Sequence, residues 1–189
     1  RIRFYSCREW TVSAFFISCR ETHPLRFSKQ NFIIKMKEII EATFLNKEQK
    51  VEIINLWNEE YPIQLNYKKI EDFEIYLENL NNCIHYLIQD SNNIIKGWAF
   101  KFERENKKWF AVIIAKEFQG IGIGKNLLEK IKTNETELLG WVINHSNDDK
   151  KNGEKYISPI NFYKKCDFTI TTERLQSNLI SAIQIKWRK

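Results

Sequence analysis

Residues 110–125 hold the feature that most restricts how this chain can fold. An apolar run, Phe-Ala-Val-Ile-Ile-Ala, is followed by a glycine-rich turn at 119–125 that reads Gln-Gly-Ile-Gly-Ile-Gly-Lys, and then by a helical pattern. Glycine lets the backbone approach a ligand closely, and the free N–H groups in the first turn of a helix attract anions. The sequence therefore predicts a strand, a turn and a helix N-terminus that together bind a phosphate or pyrophosphate.

Two common phosphate-binding motifs do not fit this spacing. The dinucleotide fingerprint needs glycine at its first, third and sixth positions, but Lys125 is sixth from Gly120 and Leu127 is sixth from Gly122. The Walker A loop needs Ser or Thr after its Gly-Lys pair, and this chain has Asn126 there. Both nucleotide motifs are excluded, and a purely structural glycine turn remains an alternative.

The pattern that remains, Gln-Gly-x-Gly-x-Gly between a strand and a helix, resembles motif A of the GCN5-related N-acetyltransferases (GNAT). In that family the motif wraps the pyrophosphate of acetyl-coenzyme A. The resemblance implies a coenzyme site that uses the backbone of the preceding strand and the whole turn. Its implied residues are Ile113, Ile114, Gln119, Gly120, Ile121, Gly122, Ile123, Gly124 and Lys125.

A second stretch, 157–168, supports the same resemblance. Ser158 as N-cap and Pro159 at the first helical position predict a short helix. In the family the corresponding helix ends in a tyrosine that is followed, after three residues, by Gly-Phe. Here Tyr163 has Asp167 in place of that glycine, a mild departure because aspartate tolerates the left-handed conformation. An asparagine often found seven residues before the tyrosine is replaced by Tyr156, so no coenzyme contact is assigned there.

Hydrophobic periodicity indicates the order of elements beyond Met36. It predicts a strand at 37–43, helices at 48–57 and 70–80, strands at 83–89, 94–102 and 109–115, the phosphate-site helix, a strand at 137–144, the helix from Ser158, and strands near 168–174 and 181–187. Turn residues occupy 90–93 and 105–107, and 145–156 is a polar loop that is either a solvated connection or a rim of the substrate site.

This order is that of the GNAT fold, and the resemblance covers residues 36–189. It implies an α/β (α+β) domain with a mixed, mostly antiparallel central sheet of about six to seven strands, about four flanking helices, and strands that splay at the coenzyme site. The length suits one domain with one core. Trp98, Trp109 and Trp141 fall on predicted central strands and are expected in that core.

Residues 1–35 differ in composition from the rest. They hold seven Lys and Arg against two Asp and Glu, which accounts for most of the formal charge of +6, and the only methionine is Met36. Three interpretations are open: an upstream region translated in error, which we favour; a targeting peptide; or a genuine basic extension. Because the positive charge is concentrated in this segment, it does not indicate a nucleic-acid surface on the domain at 36–189.

The sequence also limits cofactors and location. Cys83 and Cys166 lack CxxC spacing and clustered histidines, so neither a zinc site nor a disulfide framework is expected. No apolar run reaches the roughly 18 residues that a spanning helix needs, so we expect no membrane segment. A reducing cytoplasm is the expected location, and a homodimer is one of the alternatives for the oligomeric state.

The resemblance also implies a reaction, transfer of an acetyl group from acetyl-coenzyme A to a primary amine of a small molecule or peptide. Tyr163 matches the family tyrosine that protonates the coenzyme thiolate, although an aromatic packed on the sheet is the structural alternative. The strand at 109–115 contains no acid, so His145 is the first candidate for the base, since its pKa suits proton removal near neutrality. Glu103, Glu105 and Asp148 are weaker candidates. A non-catalytic acyl-coenzyme A-binding regulatory domain is the alternative function.

Overall fold

The computed structural model describes residues 38–189, and the boundary predicted between 35 and 36 lies outside them, as does the whole segment 1–35. The described chain forms seven strands and four α-helices. In chain order they are β1 (Ile40–Ala42), α1 (Lys47–Glu60), α2 (Ile70–Glu78), β2 (Asn81–Gln89), β3 (Ile95–Arg104), β4 (Lys107–Ile114), α3 (Ile123–Lys132), β5 (Glu137–Val142), α4 (Ile160–Lys165), β6 (Thr169–Gln176) and β7 (Ser181–Arg188).

All seven strands belong to one sheet in the order β1-β2-β3-β4-β5-β7-β6. Neighbouring strands are antiparallel except for β4 and β5, which are parallel. A parallel pair requires a crossover connection, and α3 supplies it between β4 and β5. The mixed, mostly antiparallel sheet with four helices confirms the predicted fold class.

Both predicted hairpin turns are present, and their turn-forming residues make the expected hydrogen bonds or adopt the expected backbone angles. The carboxylate of Asp90 accepts hydrogen bonds from the backbone N–H groups of Asn92 and Ile94 at 2.9 and 3.0 Å. Glu105 and Asn106 have φ angles of 51° and 56°, which is the geometry of a tight two-residue hairpin loop. Together these turns fix the register of β2, β3 and β4.

The sheet is covered differently on its two faces. Aromatic side chains of β3 pack against α1 and α2 on one face: the rings of Trp57 and Trp98 lie 6.4 Å apart, and those of Tyr76 and Phe100 lie 6.3 Å apart. On the opposite face, α4 packs against β4, and the ring of Tyr163 lies 5.9 Å from that of Phe110. We call these the α1/α2 face and the α3/α4 face.

The structure corrects the predicted start of α4 by one residue. The helix begins at Ile160 with Pro159 as its cap residue, so Ser158 is not the N-cap. The hydroxyl of Ser158 instead donates to the carbonyl oxygen of Ile143 at 2.7 Å, which anchors the chain to the end of β5. The same oxygen also accepts from the backbone N–H of Ile160 at 3.4 Å, so Ser158 keeps a long capping contact beside its tertiary hydrogen bond. The residue at the far end behaves as predicted, because Asp167 has a φ of 67°.

Other boundaries move by a few residues. The first strand is shorter than predicted, Ile40–Ala42, whereas α1 runs three residues beyond its predicted end, to Glu60, and begins one residue earlier, where Asn46 and Gln49 form a reciprocal capping box. Among the described residues, no helix is long and apolar enough to span a membrane. Across 38–189 there is also no group of three or more His, Cys, Asp and Glu side chains placed to hold a metal ion.

One titratable side chain is enclosed beneath the α1/α2 face. His85 on β2 is only 4 % exposed, and the indole N–H of Trp98 donates to its Nδ1 atom at 3.3 Å. The Cys83 sulfur lies 3.7 Å from the other ring nitrogen. Burial lowers the pKa of His85 from its ordinary 6.5 to about 4. The folded protein therefore holds a neutral imidazole over a pH range in which the unfolded chain takes up a proton.

Mild acid is predicted to destabilise the fold through His85. Between pH 6.5 and pH 4 the unfolded state binds more protons than the folded state, so the free energy of unfolding falls as the pH is lowered. We expect this group to contribute a loss of about 2 kcal/mol between pH 7 and pH 5, measured by urea unfolding. His85→Gln keeps an acceptor for Trp98 and should reduce the pH dependence by that amount. An unchanged slope in this variant would contradict the assignment.

Candidate active site

The predicted splay lies between β4 and β5. These strands pair in register only at Trp109 and Leu139, near the start of each strand, and part beyond that point. The N–H of Ala115 donates to the carbonyl of Lys96 on β3 at 2.9 Å. Because backbone groups alternate sides along a strand, those of Ile114 point away from β3 and toward the space between β4 and β5. We call this wedge-shaped space the gap.

The glycine turn lies at the open end of the gap. Gly120 and Gly122 have φ angles of 71° and 94°, a conformation that side-chain-bearing residues rarely adopt. A Cβ atom added at either position would meet no described atom within 4 Å, so the turn faces open space. The chain therefore uses glycine here for backbone conformation and for access to the turn, and no side chain or backbone of residues 38–189 outside the turn packs against these positions.

Helix α3 presents its N-terminus at this turn. Gly122 is the cap residue, and the first N–H that bonds within the helix is that of Asn126, which donates to the Gly122 carbonyl at 3.1 Å. The N–H groups of Ile123, Gly124 and Lys125 precede it and need an acceptor from outside the helix. Three donors and the positive end of the helix dipole converge on one place, which can hold a doubly charged phosphate group.

The predicted coenzyme residues differ in the direction of their backbone groups and in the burial of their side chains. The backbone of Ile113 faces its partner Trp98 on β3, whereas that of Ile114 faces the gap. Ile121 is half-buried, Ile123 and Gly124 are buried, and Lys125 is exposed. The side-chain amide of Gln119 points inward and donates to the carbonyl of Ile114 at 2.8 Å. Gln119 therefore joins the end of β4 to the turn through its side chain.

Tyr163 lies on α4 and is fully buried. Its ring meets those of Phe110 and Phe168 edge to face, with centroids 5.9 and 5.5 Å away, so its orientation is fixed by packing. Tyr156 is also fully buried, and its pKa is raised well above 10 by burial and by the neighbouring groups of Tyr61, Tyr163 and Asp148. The structure thus places the phenol group of Tyr156 near the candidate acid Tyr163.

His145, the candidate base, follows the end of β5. Its Nδ1 atom is buried, has no hydrogen-bond partner among the described residues, and lies 3.9 Å from a carboxylate oxygen of Asp148. The carbonyl of Asp148 in turn accepts from the N–H of Tyr156 at 2.9 Å. Two of the predicted candidates, His145 and Asp148, are therefore brought together beside Tyr156.

The carboxylates on the β3–β4 hairpin differ in their suitability. Glu103 pairs with Lys108 at 2.6 Å, and hydrogen bonds from Lys108 and Asn82 lower its pKa. A lowered pKa makes a carboxylate a poorer base, so Glu103 does not suit proton abstraction. Glu105 is exposed at the tip of the hairpin and lines the trough described below.

The loop at 145–156, which we call the strap, is largely exposed, but a few of its residues attach it to the rest of the domain. The N–H of Ile63 after α1 donates to the carbonyl of Asp149 at 2.9 Å, and Pro62 pairs with Lys150 across a short antiparallel bridge. Lys150 is 3 % exposed and Tyr156 is fully buried. Because α1 packs beside β4 and the strap follows β5, the strap connects the two sides of the gap.

An acidic residue that sequence analysis did not identify lies at this junction. Glu60, the last residue of α1, accepts from the ammonium group of Lys150 at 2.6 Å and from the backbone N–H of Lys116 at 2.8 Å. The amide of Gln119 approaches the same carboxylate at 3.5 Å. These partners lie 90, 56 and 59 residues away in sequence, so no local pattern could have indicated them.

An open trough of about 750 Å³ lies on the α1/α2 face, where β4, β5, β7 and β6 extend beyond the helices. Trp109 and Trp141 stack in it with ring centroids 5.8 Å apart. Trp98 is in the core as predicted, but Trp141 is half-buried and lines the trough, so the prediction of a core position for Trp141 is wrong. Alternation along β5 points its side chain to a part of the sheet that none of the four described helices covers.

The trough begins where the gap ends. Trp109 and Leu139, the last paired residues of β4 and β5, both line it. The indole N–H of Trp109 is buried and has no hydrogen-bond partner within residues 38–189. Carboxylates and cations share the rim, and Glu137 is already bound by Lys186 at 2.5 Å and Arg188 at 2.8 Å. The sheet thus carries an anion-binding turn at one end of the gap and a polar, aromatic trough at the other.

Solved structures with this architecture are acetyltransferases. A chimera of Vibrio cholerae spermidine N-acetyltransferase aligns with a TM-score of 0.56 and 18 % identity over 80 % of this chain and 96 % of that chain. A phosphinothricin N-acetyltransferase homologue gives 0.58 and 11 % over 80 % and 98 %. The Vibrio cholerae spermidine enzyme in complex with coenzyme A and spermine gives 0.53 and 15 % over 79 % and 95 %. At these identities the likeness shows the fold.

Sequence comparison gives the family. No curated protein matches the chain in sequence. Residues 81–170, which run from the start of β2 into β6, match the family model described as the acetyltransferase (GNAT) domain. That range includes the gap, the glycine turn, the strap and Tyr163. The family match and the fold together support the assignment of residues 81–170 to a GNAT acetyltransferase domain.

Proposed function

We propose that the protein is an N-acetyltransferase that moves an acetyl group from acetyl-coenzyme A to a primary amine of a small molecule or peptide. The observation that carries the proposal is the gap between β4 and β5, which ends at a glycine turn with three outward backbone donors. A long donor with a pyrophosphate at one end and a reactive thioester at the other suits this shape. Enzyme chemistry within the family is acyl transfer.

The donor half of the site can be assigned residue by residue. The N–H groups of Ile123, Gly124 and Lys125 would receive the pyrophosphate, and the exposed Lys125 side chain adds a positive charge. The backbone of Ile114 would bind the amide-bearing pantetheine arm within the gap. Acetyl-coenzyme A is a substrate in this scheme, and the protein holds it through its backbone and the α3 N-terminus.

The acceptor half is proposed to be the trough. It adjoins the point at which β4 and β5 part, so an amine lying in it would approach the thioester from the side opposite the pyrophosphate. The ring of Trp141 can attract a cationic amine, and Glu105 and Glu173 add negative charge at the rim, whereas the ring of Trp109 is already contacted by the Arg104 guanidinium at 5.8 Å. Two neighbouring structures are enzymes named for spermidine, which is consistent with a small amine acceptor.

The reaction requires a neutral amine, a polarised carbonyl and a protonated leaving group. The amine nitrogen attacks the thioester carbonyl carbon, and collapse of the tetrahedral intermediate breaks the carbon–sulfur bond and expels a thiolate. Tyr163 is proposed to donate its hydroxyl proton to that thiolate, and His145, beside Asp148, to take the proton that the amine loses. Because acetyl-coenzyme A is abundant there, we propose the cytoplasm as the location.

Thiol release from acetyl-coenzyme A with a panel of amines, polyamines, amino acids and peptides tests the function. We expect at least one amine to be acetylated by the full chain. Gly122→Asp should weaken coenzyme A binding about 100-fold or more, because the carboxylate would enter the space that the pyrophosphate occupies. Binding of coenzyme A is measured by calorimetry.

Gly122→Ala serves as the control at the same position. Alanine shares the strain of a φ of 94° but adds no charge, so it should weaken coenzyme A binding only several-fold. Equal binding by the wild type and Gly122→Asp would show that the turn is not the pyrophosphate site. Coenzyme binding with no acetylation of any amine would favour the alternative, a non-catalytic acyl-coenzyme A-binding domain.

Tyr163→Phe is predicted to lower kcat about 100-fold while the Kd for coenzyme A changes less than about twofold, because only the proton donor is lost. The rate is measured by thiol release with the best amine of the panel. Tyr61→Phe is the matched control, since Tyr61 is equally buried and is stacked on Trp57 with centroids 4.2 Å apart. An unchanged kcat in Tyr163→Phe would remove this residue from the mechanism.

The same assay tests His145. His145→Gln keeps a polar side chain of similar length but cannot take up the amine proton. We expect kcat/KM to fall about 100-fold at neutral pH, with a smaller deficit at high pH where more of the amine is already neutral. A parallel shift of the whole pH profile, without a change in its shape, would assign His145 to a structural role.

Trp141→Ala is predicted to raise the KM for the amine about tenfold and to leave the Kd for coenzyme A unchanged, because it removes one wall of the trough. Trp187→Ala is the control. Trp187 is also half-buried, but it lies on the α3/α4 face, where the ammonium group of Lys132 is 5.2 Å from its ring. Equal amine KM values in the two variants would place the acceptor elsewhere.

A further inference from the structure

Glu60 and Lys150 form an ion pair that is enclosed by the protein. Their side chains are 9 % and 2 % exposed, and a carboxylate oxygen of Glu60 lies 2.6 Å from the Lys150 nitrogen. A buried ion pair recovers the desolvation of its charges only when further hydrogen bonds satisfy them, so it contributes little net stability by itself. The function of this pair is therefore better inferred from its position beside the glycine turn than from its contribution to stability.

The partners of Glu60 place it directly behind the proposed coenzyme turn. One carboxylate oxygen accepts from the backbone N–H of Lys116, the second residue after β4. The other oxygen accepts from Lys150 and is approached by Gln119, whose amide also holds the carbonyl of Ile114. Glu60 thus determines where the chain leaves β4 and enters the turn.

Lys150 brings the strap to the same carboxylate. The N–H of Lys150 donates to the carbonyl of Glu154 at 2.8 Å, and its own carbonyl accepts from Gly153 at 3.0 Å, so the ammonium group projects from a tight turn. Outside this turn, Lys116 also pairs with Glu154 across the surface. The strap, which follows β5, is therefore attached to the segment that follows β4.

The positive charge of Lys150 is also expected to affect ligand affinity. A carboxylate behind a site that receives a pyrophosphate would repel the ligand if it stood alone, and Lys150 cancels that charge. Loss of Lys150 should therefore harm coenzyme binding more than loss of the Glu60 charge, although both variants break the same contact. A purely structural ion pair would show no such asymmetry in ligand affinity.

We propose that Glu60 and Lys150 are positioning residues of the coenzyme site. They hold the strap across the open end of the gap and fix the entry to the glycine turn, so that the N–H groups of α3 face the pyrophosphate. This inference rests on the proposed function, because it assigns a role toward the same coenzyme.

Coenzyme A binding by the full chain tests the proposal. We expect Glu60→Gln to weaken the affinity about tenfold and Lys150→Met about thirtyfold. The double variant should bind no more weakly than Lys150→Met, because removal of the carboxylate also removes the repulsion. Lys150→Arg keeps the charge and should restore affinity to within about threefold of the wild type. Amide hydrogen exchange in the strap should slow on addition of coenzyme A to the wild type and change little in Glu60→Gln.

A second, largely enclosed ion pair in the same domain provides the control. Lys101 and Glu135 lie 2.7 Å apart with side chains 9 % and 13 % exposed, and they join β3 to the segment after α3, at the end of that helix opposite the turn. Lys101→Met and Glu135→Gln should lower the melting temperature as the Glu60 and Lys150 variants do, without changing the Kd for coenzyme A.

These measurements distinguish failure of the positioning role of Glu60 and Lys150 from failure of the proposed function. A wild-type protein that does not bind coenzyme A would overturn the proposed function. If the wild type binds but the Glu60 and Lys150 variants bind as well as the Lys101 and Glu135 variants, the positioning role alone is overturned. Glu60→Gln preserves the size of the side chain and an acceptor for Lys116, so it decides the question by itself if Lys150→Met does not fold.

Discussion

The parting of β4 and β5 is the constraint on which the rest of this structure depends. After one register pair at Trp109 and Leu139 the strands separate, and the backbone polar groups along one side of β4 lose their sheet partner. Buried N–H and C=O groups must be satisfied, so a gap of this kind exists only if protein, water or a ligand supplies partners. The chain meets part of this demand itself, through the amide of Gln119 on the carbonyl of Ile114.

The elements around the gap follow from the same constraint. A parallel pair needs a crossover, and α3 provides it while presenting its N-terminus at the end of β4. The strap after β5 returns to α1 and is held by a buried charge pair between Lys150 and Glu60. The proposed donor site is thus built from backbone conformation, whereas the trough beside it is built from side chains such as Trp141.

Local residue preferences correctly predicted the backbone conformation at several positions. Gly120 and Gly122 take positive φ angles at the predicted turn, and Asp167 takes the left-handed conformation where the family has glycine. These features are local, because they depend on the conformational preferences of single residues. Ser158 shows the limit of that approach. Its sequence context favours an N-cap, but the carbonyl of Ile143, 15 residues earlier, takes its hydroxyl.

The amino-acid sequence by itself determined the order of the elements and the glycine turn, because periodicity and turn chemistry act over a few residues, and its resemblance to the GNAT family indicated the fold class. Only the tertiary structure decided which side chains meet behind that turn. Glu60 has no local sign of function, and its partners come from segments 56 to 90 residues away. The same holds for Trp141, whose exposure depends on where α1 and α2 end over the sheet. Contacts between distant segments depend on the packing of the whole chain, which local preferences do not encode.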